Sequence, residues 1–299
     1  MSSSELHTDR ARAGSFGSVA RQYDRHRPAY PDALIDDLAA QRPSAVLDVG
    51  CGTGKAAVAL AERGLSVLGV EPDERMAEVA LGHGVPVEVA EFETWDAAGR
   101  RFDLVTCADA WHWIDPARGI PKAAEILRPG GTLARFWNYH LLEEQAVAAL
   151  DAVYRRHAPE AHTQGSVPGD RTDPGTADPA DAPDRTSPAE PESAASRTSP
   201  ADRGAANRTS AANRVGSGGD PLARSDAFGS LEPRTYRWEH TLSADEWVAL
   251  VATFSDHQGL GQERLSVLQR GLHAAIEDLG GTVRARSATF ALLAKRVEN

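Results

Sequence analysis

The stretch Val46-Leu47-Asp48-Val49-Gly50-Cys51-Gly52-Thr53-Gly54-Lys55 restricts what this chain can become more than any other. Val46, Leu47 and Val49 suit a strand covered on both faces. Gly50, Gly52 and Gly54 follow at alternate positions, where the backbone can turn sharply and a ligand can approach with no Cβ in the way. Lys55 to Arg63 then reads as a helix that ends at Gly64. A ligand at this turn would meet the carboxyl end of a strand and the amino end of a helix.

Two nucleotide-binding patterns fail on spacing. A P-loop needs four residues between its first glycine and Gly-Lys-Ser/Thr. Here three separate Gly50 from Gly54, and Ala56 follows Lys55. The dinucleotide fingerprint needs its third glycine three residues after the second, and Lys55 stands there. The pattern present is Asp-x-Gly-x-Gly-x-Gly, and it resembles the first motif of class I S-adenosylmethionine-dependent methyltransferases. The resemblance implies a loop under the methionine part of S-adenosylmethionine (S-adenosylhomocysteine after transfer), held by Asp48, Gly50, Gly52 and Gly54. A glycine turn with no ligand is the plainer alternative.

Leu65 to Val70 reads as the next strand, with Glu71 at its tip. An acid about 20 residues beyond such a turn can accept hydrogen bonds from both ribose hydroxyls. Met76, on the following helix, is placed to face an adenine. By the same resemblance Glu91 would bond the adenine amino group and Phe92 would lie against the ring, with Glu93 as the alternative acid. The segment Tyr23-Asp24-Arg25-His26-Arg27-Pro28-Ala29-Tyr30-Pro31 is similar to one that lies over the cofactor in small-molecule members. Tyr23 and Arg27 are then lid candidates. Alternatively Phe16, Tyr23 and Tyr30 only dock an N-terminal arm.

The fourth strand, Phe102 to Cys107, runs into Ala108-Asp109-Ala110-Trp111-His112-Trp113. A polar, aromatic cluster at the carboxyl end of a central strand is where an acceptor would meet the methyl group. His112 is the leading candidate for a base or an orienting group, unless it merely packs against the cofactor. Asp109 is a candidate to hold cofactor or substrate. Trp111 and Trp113 read as walls or core. The run AEILRPGGTLARFWN resembles a further landmark of the family, the helix, turn and fifth strand.

With 299 residues the chain has ample length for a buried core. Its net charge of -11, without a long basic run, argues against a nucleic-acid surface. The place after the fourth strand also lacks the Asn/Asp-Pro-Pro-Tyr/Phe pattern that resembles base methylation. Cys51 and Cys107 form no Cys-x-x-Cys pair, so neither a disulfide framework nor a metal site is expected. The first residues lack the apolar core of a signal peptide, and no run approaches the ~18 apolar residues of a membrane span. A cytoplasmic protein with a small-molecule acceptor, without nucleic-acid or membrane partners, is the expectation. Oligomeric state is not legible.

The alternation of strands and helices from Ala45 to Asn138 predicts an α/β doubly wound sheet. Further elements are expected as a helix from Glu143 to His157, a strand around Arg234–His240, a helix capped by Ser243 with Glu246, a helix over 262–279 and a strand around 288–294. The resemblance completes these into a seven-stranded, mostly parallel Rossmann-like sheet with the last strand antiparallel. Residues 162–219 are rich in Pro, Ala, Asp, Ser, Thr, Arg and Gly, and cannot bury enough apolar surface to offset ordering. The expected division is a disordered terminus at 1–14, a cofactor-binding core at 15–157, a disordered insertion at 158–226, and the rest of the same domain at 227–299. Two other readings stand beside the methyltransferase: a nicotinamide-dependent oxidoreductase, which the glycine spacing disfavours, and a non-catalytic binding protein.

Overall fold

The computed structural model describes residues 3–161 and 220–298; the low-complexity stretch 162–219 lies outside the described residues. The central strands come first: β1 (Val46–Val49), β2 (Val67–Glu71), β3 (Val87–Val89), β4 (Phe102–Ala108) and β5 (Leu127–Leu142). Strands β6 (Glu232–Ser243) and β7 (Thr282–Lys295) complete one seven-stranded sheet in the order β3-β2-β1-β4-β5-β7-β6. Strands β1 to β5 pair in parallel, and β7 runs antiparallel to both β5 and β6. Pro86 precedes β3, which is the sheet edge, where a missing N–H costs least.

The helices are α1 (Arg10–Ala13), α2 (Ala20–His26), α3 (Asp32–Ala39), α4 (Lys55–Glu62), α5 (Glu74–Gly82), α6 (Pro116–Ile126) and α7 (Glu144–His157). After the undescribed stretch come α8 (Ala244–Val251), α9 (Ser255–Gln258) and α10 (Gln262–Asp278). Alternate strand residues supply two cores, because side chains leave a strand on opposite faces. Val46, Leu104 and Phe136 pack with Leu34, Ile35, Leu38 and Leu60. Leu47, Val105 and Leu133 pack on the other face with Ile120, Ala123 and Ile126. A third cluster joins Leu150 and Tyr154 to Trp247, Leu250, Leu268 and Leu272. Ser243 and Glu246 make both bonds of the expected capping box.

Strand order reverses at β1, between β2 and β4, and a crevice opens there at the carboxyl ends. The turns after β1 and β4 meet closely: a Cβ on Gly50 would lie 2.6 Å from Ala110 Cβ. The expected Arg128–Gly131 turn is a large bulge inside β5. Phe102 pairs with Leu127 and Leu104 with Thr132, so the two strands have unequal lengths between these pairs. Helix α6 continues through Pro121.

The terminus differs from expectation. Residues 3–8 form a 3-10 helix and Arg10–Ala13 a helical turn, where 1–14 reads as disordered by composition. Tertiary partners account for it: Asp9 caps the Arg12 N–H, Arg12 Nε donates to Ser255 Oγ, and Arg75 Nη2 donates to the Gly14 carbonyl. Residues 158–161 and 220–226, expected to belong to the disordered insertion, are among the described residues, and Ala158, Ala161, Asp220 and Leu222 are buried. Asp220 ion-pairs with buried Arg135 at 2.6 Å.

Candidate active site

Gly50 and Gly52 both have left-handed backbone, with φ of 62° and 56°, which explains why glycine stands there. The Gly50 and Cys51 amides donate to the Val70 carbonyl and fasten the turn to the tip of β2. Glu71 then folds back toward the same turn. Its Oε2 accepts the Gly52 N–H at 2.9 Å and its Oε1 accepts the Asp73 N–H at 3.1 Å. A carboxylate has about four acceptor positions, so each oxygen keeps one for a ligand. Burial pushes the Glu71 carboxyl up to about 7, against the opposing pull of the Asp73 and Gly52 amides.

Asp48 lies beneath the turn, buried, with Thr106 Oγ1 donating to its Oδ1 at 2.7 Å. Its Oδ2 makes no hydrogen bond among the described residues, and the Ala57 amide only weakly favours the charge. Burial raises this carboxyl to about 7. Asp109, just past β4, has φ of 51°, a backbone region uncommon outside glycine. Tyr30 Oη donates to its Oδ2 at 3.0 Å, and the Asn138 N–H approaches its Oδ1 at 3.3 Å. Burial lifts Asp109 to about 6, with the nearby Arg27 charge opposing. Tyr30 and Tyr23 are raised by burial.

A cavity opens at the reversal point. Gly50, Gly52, Glu71, Glu91, Phe92 and Asp109 line it; Asp48, Gly54, Tyr23 and His112 do not. Gly54 caps α4, with a Cβ position only 3.0 Å from Ala80 Cβ, so its role is packing below the loop. Tyr23 stands to one side, edge-on to Phe16 and 5.0 Å from the Arg27 guanidinium. His112 lies in a 3-10 turn with its ring against Trp113 at 4.8 Å. The wall of this cavity on that side is Trp113 and Ile114, not the imidazole.

Of the two candidate acids beside Phe92, Glu91 is at the rim and Glu93 is inside. The Glu93 side chain is 2% exposed, and its Oε1 accepts the Asp115 N–H at 3.0 Å. Arg10 reaches both, at 3.8 Å from Glu91 and 3.6 Å from Glu93. Sequence reading did not find Arg10 in the site, because nothing local marks a terminal arginine as a neighbour of Glu91 and Glu93. Tyr30 could have been found, since its segment was already singled out. The cavity encloses about 100 Å³, below the roughly 300–1,000 Å³ usual for ligand clefts. Arg10, Ala13 and Phe16 of the N-terminal arm stand among its walls.

Comparison with known proteins agrees with this architecture. Residues 46–131 match the family described as "Methyltransferase domain". An uncharacterized methyltransferase of Mycobacterium tuberculosis is 46% identical over 127 residues, which is 42% of this chain and 52% of the relative. A ubiquinone biosynthesis O-methyltransferase of Coxiella burnetii is 30% identical over 149 residues, 44% of this chain and 64% of the relative. The chain thus spans about half to two thirds of the length of these curated relatives. A solved structure from Anaeromyxobacter dehalogenans, provisionally described as a type II methyltransferase, superposes with a TM-score of 0.54 at 23% identity. It covers 91% of this chain and 99% of its own, and shows the fold. Residues 46–131 thus match a methyltransferase domain, set on a seven-stranded sheet whose fold the solved structure shares.

Proposed function

We propose that this protein transfers a methyl group from S-adenosylmethionine to a small-molecule acceptor. The observation that carries the reading is the Glu71 carboxylate, turned onto the Gly52 amide with one acceptor position left on each oxygen. That arrangement suits two vicinal ribose hydroxyls. Gly50 and Gly52 leave a surface free of side chains for the methionine part. A Cβ on Gly52 would come within 3.4 Å of Met76 Cε. Phe92 and Met76 flank the adenine position, and Glu93 or Glu91 accepts from its amino group. When bound, the cofactor supplies an electrophilic methyl on a sulfonium.

The protein then has to align the acceptor and exclude water. Phe16 and Arg10 of the arm cover the cleft for that purpose, and the arm must swing to admit a ligand of this size. Proton removal, where the acceptor needs it, falls to Asp109 rather than His112. Asp109 lines the cavity and titrates near neutrality, which favours a general base. His112 keeps an indirect role through Trp113. Calorimetry of the full-length protein with S-adenosylhomocysteine tests the reading. Binding at micromolar concentration with one-to-one stoichiometry is expected, and no binding at millimolar concentration refutes it.

A further inference from the structure

A second polar group lies further along the same sheet, on β5, β7 and β6. His140 is two residues beyond Asn138, whose N–H faces Asp109. Residues at this spacing share a strand face and stand about 7 Å apart. Ser287 of β7 is opposite His140, and Trp238 of β6 is opposite Ser287. His140 is 6% exposed, its Nδ1 pairs with Ser287 Oγ at 3.0 Å, and its Nε2 has no hydrogen-bond partner among the described residues. Burial pushes the imidazole down to about 3, aided by His240 and the Arg27 charge, so it is neutral in ordinary buffers. The tautomer in which the Ser287 hydroxyl donates to Nδ1 puts the ring proton on Nε2, and it is the one the subsite requires.

Two stacked rings and the Arg27 guanidinium belong to the same region. Trp238 and His240 stack with centroids 4.6 Å apart and planes within 17°. His240 Nδ1 is buried and without a hydrogen-bond partner among the described residues. Arg27 is held by Thr253, its Nε donating to Oγ1 at 2.8 Å and its Nη2 to the carbonyl at 3.2 Å. Its guanidinium lies between Tyr23 and Phe254, and Nη1 makes no hydrogen bond among the described residues. The Arg27 charge acts on both Asp109 and His140.

We propose that this face is the acceptor subsite and that it takes a planar hydroxy acid. Arg27 Nη1 and His140 Nε2 hold the carboxylate, the Trp238–His240 stack faces the flat body, and Asp109 receives the hydroxyl proton. The inference rests on the methyltransferase reading above. The step balances. The acceptor O–H proton passes to the Asp109 carboxylate, and the oxygen forms a bond to the methyl carbon. The carbon–sulfur bond breaks with its electron pair left on sulfur, giving a thioether and a methyl ether. An acceptor bearing ammonium in place of carboxylate would face Arg27 and is disfavoured by like charge.

The test uses full-length protein saturated with S-adenosylhomocysteine. It is titrated with 4-hydroxybenzoate and with tyramine, and the histidine ring nitrogens are followed by NMR. The expected result is that 4-hydroxybenzoate binds at least tenfold more tightly than tyramine and shifts the His140 Nε2 resonance. His140→Phe weakens the hydroxybenzoate at least tenfold and S-adenosylhomocysteine less than threefold. Should His140→Phe not fold, the Nε2 resonance of the unaltered protein decides. If S-adenosylhomocysteine binds but tyramine binds as tightly, or 4-hydroxybenzoate does not bind, or Nε2 does not move, the subsite assignment is overturned alone. If S-adenosylhomocysteine does not bind, the methyltransferase reading falls and takes this one with it.

Discussion

Glu71→Gln separates the demands of folding from those of cofactor binding. Burial lifts the Glu71 carboxyl from its ordinary 4.5 to about 7. That difference, about 7 less 4.5, corresponds to about 3 kcal/mol. The sign follows from proton linkage: the native state holds this proton more tightly than the unfolded chain. The contribution is therefore fully present below pH 4.5 and is lost as the pH rises to about 7. Above that, the buried charge weighs against the fold. Glutamine escapes the cost but turns one N–H toward a backbone donor and gives up a charge-assisted bond, about 1.5–3 kcal/mol. The two effects nearly cancel, so stability at pH 8 should change by less than about 1.5 kcal/mol in urea titrations. Cofactor binding has no such compensation. One ribose hydroxyl loses a charged acceptor, so affinity for S-adenosylhomocysteine should fall roughly 10- to 150-fold by calorimetry. Affinity unchanged within threefold in a folded variant would refute the ribose assignment. A stability loss well beyond 3 kcal/mol would instead refute the desolvation argument.

Three other changes probe different parts of the molecule. Gly50→Ala puts a Cβ at a φ of 62° and 2.6 Å from Ala110 Cβ, so it should cost about 1–3 kcal/mol in thermal unfolding and abolish cofactor binding. Retained binding would show that the turn does not need a bare backbone. Tyr30→Phe removes a bond that favours the charged form of Asp109, while Arg27 stays in place. The acid limb of the rate profile should therefore move upward from about pH 6, and a downward move would contradict the base assignment. Asp220→Ala leaves the Arg135 guanidinium buried between Trp111 and Trp137, and should destabilise by about 3–5 kcal/mol. A double change to Arg135→Met and Asp220→Leu should recover most of that, and equal losses in single and double variants would dispute the ion-pair account.

The order of elements was readable because its signals are local. Valine-rich runs, the Gly50–Gly54 turn, the Ser243 capping box and the helix stop at Gly280 each act within a few residues. Composition likewise marked 162–219 as unlike the rest. Misreadings arose where a segment gains order from distant partners. Residues 3–13 have little apolar content, yet Arg10 and Arg12 find Glu91, Glu93 and Ser255 across the fold. Asp220 reads as part of a polar linker until Arg135 appears beside it.

The sequence by itself determined the alternation of strands and helices, the Gly50–Gly54 turn and the acid at the second strand tip, since each is a local pattern along the chain; the family resemblance completed the seven-stranded sheet. Only the tertiary structure decided which side chains face the cleft. It set Glu93 inside and Glu91 at the rim, turned Trp113 rather than His112 to the wall, and joined Tyr30 to Asp109. The physical reason is that protonation and proximity depend on burial and on charges contributed by remote strands. Neither is encoded in the spacing of any single segment.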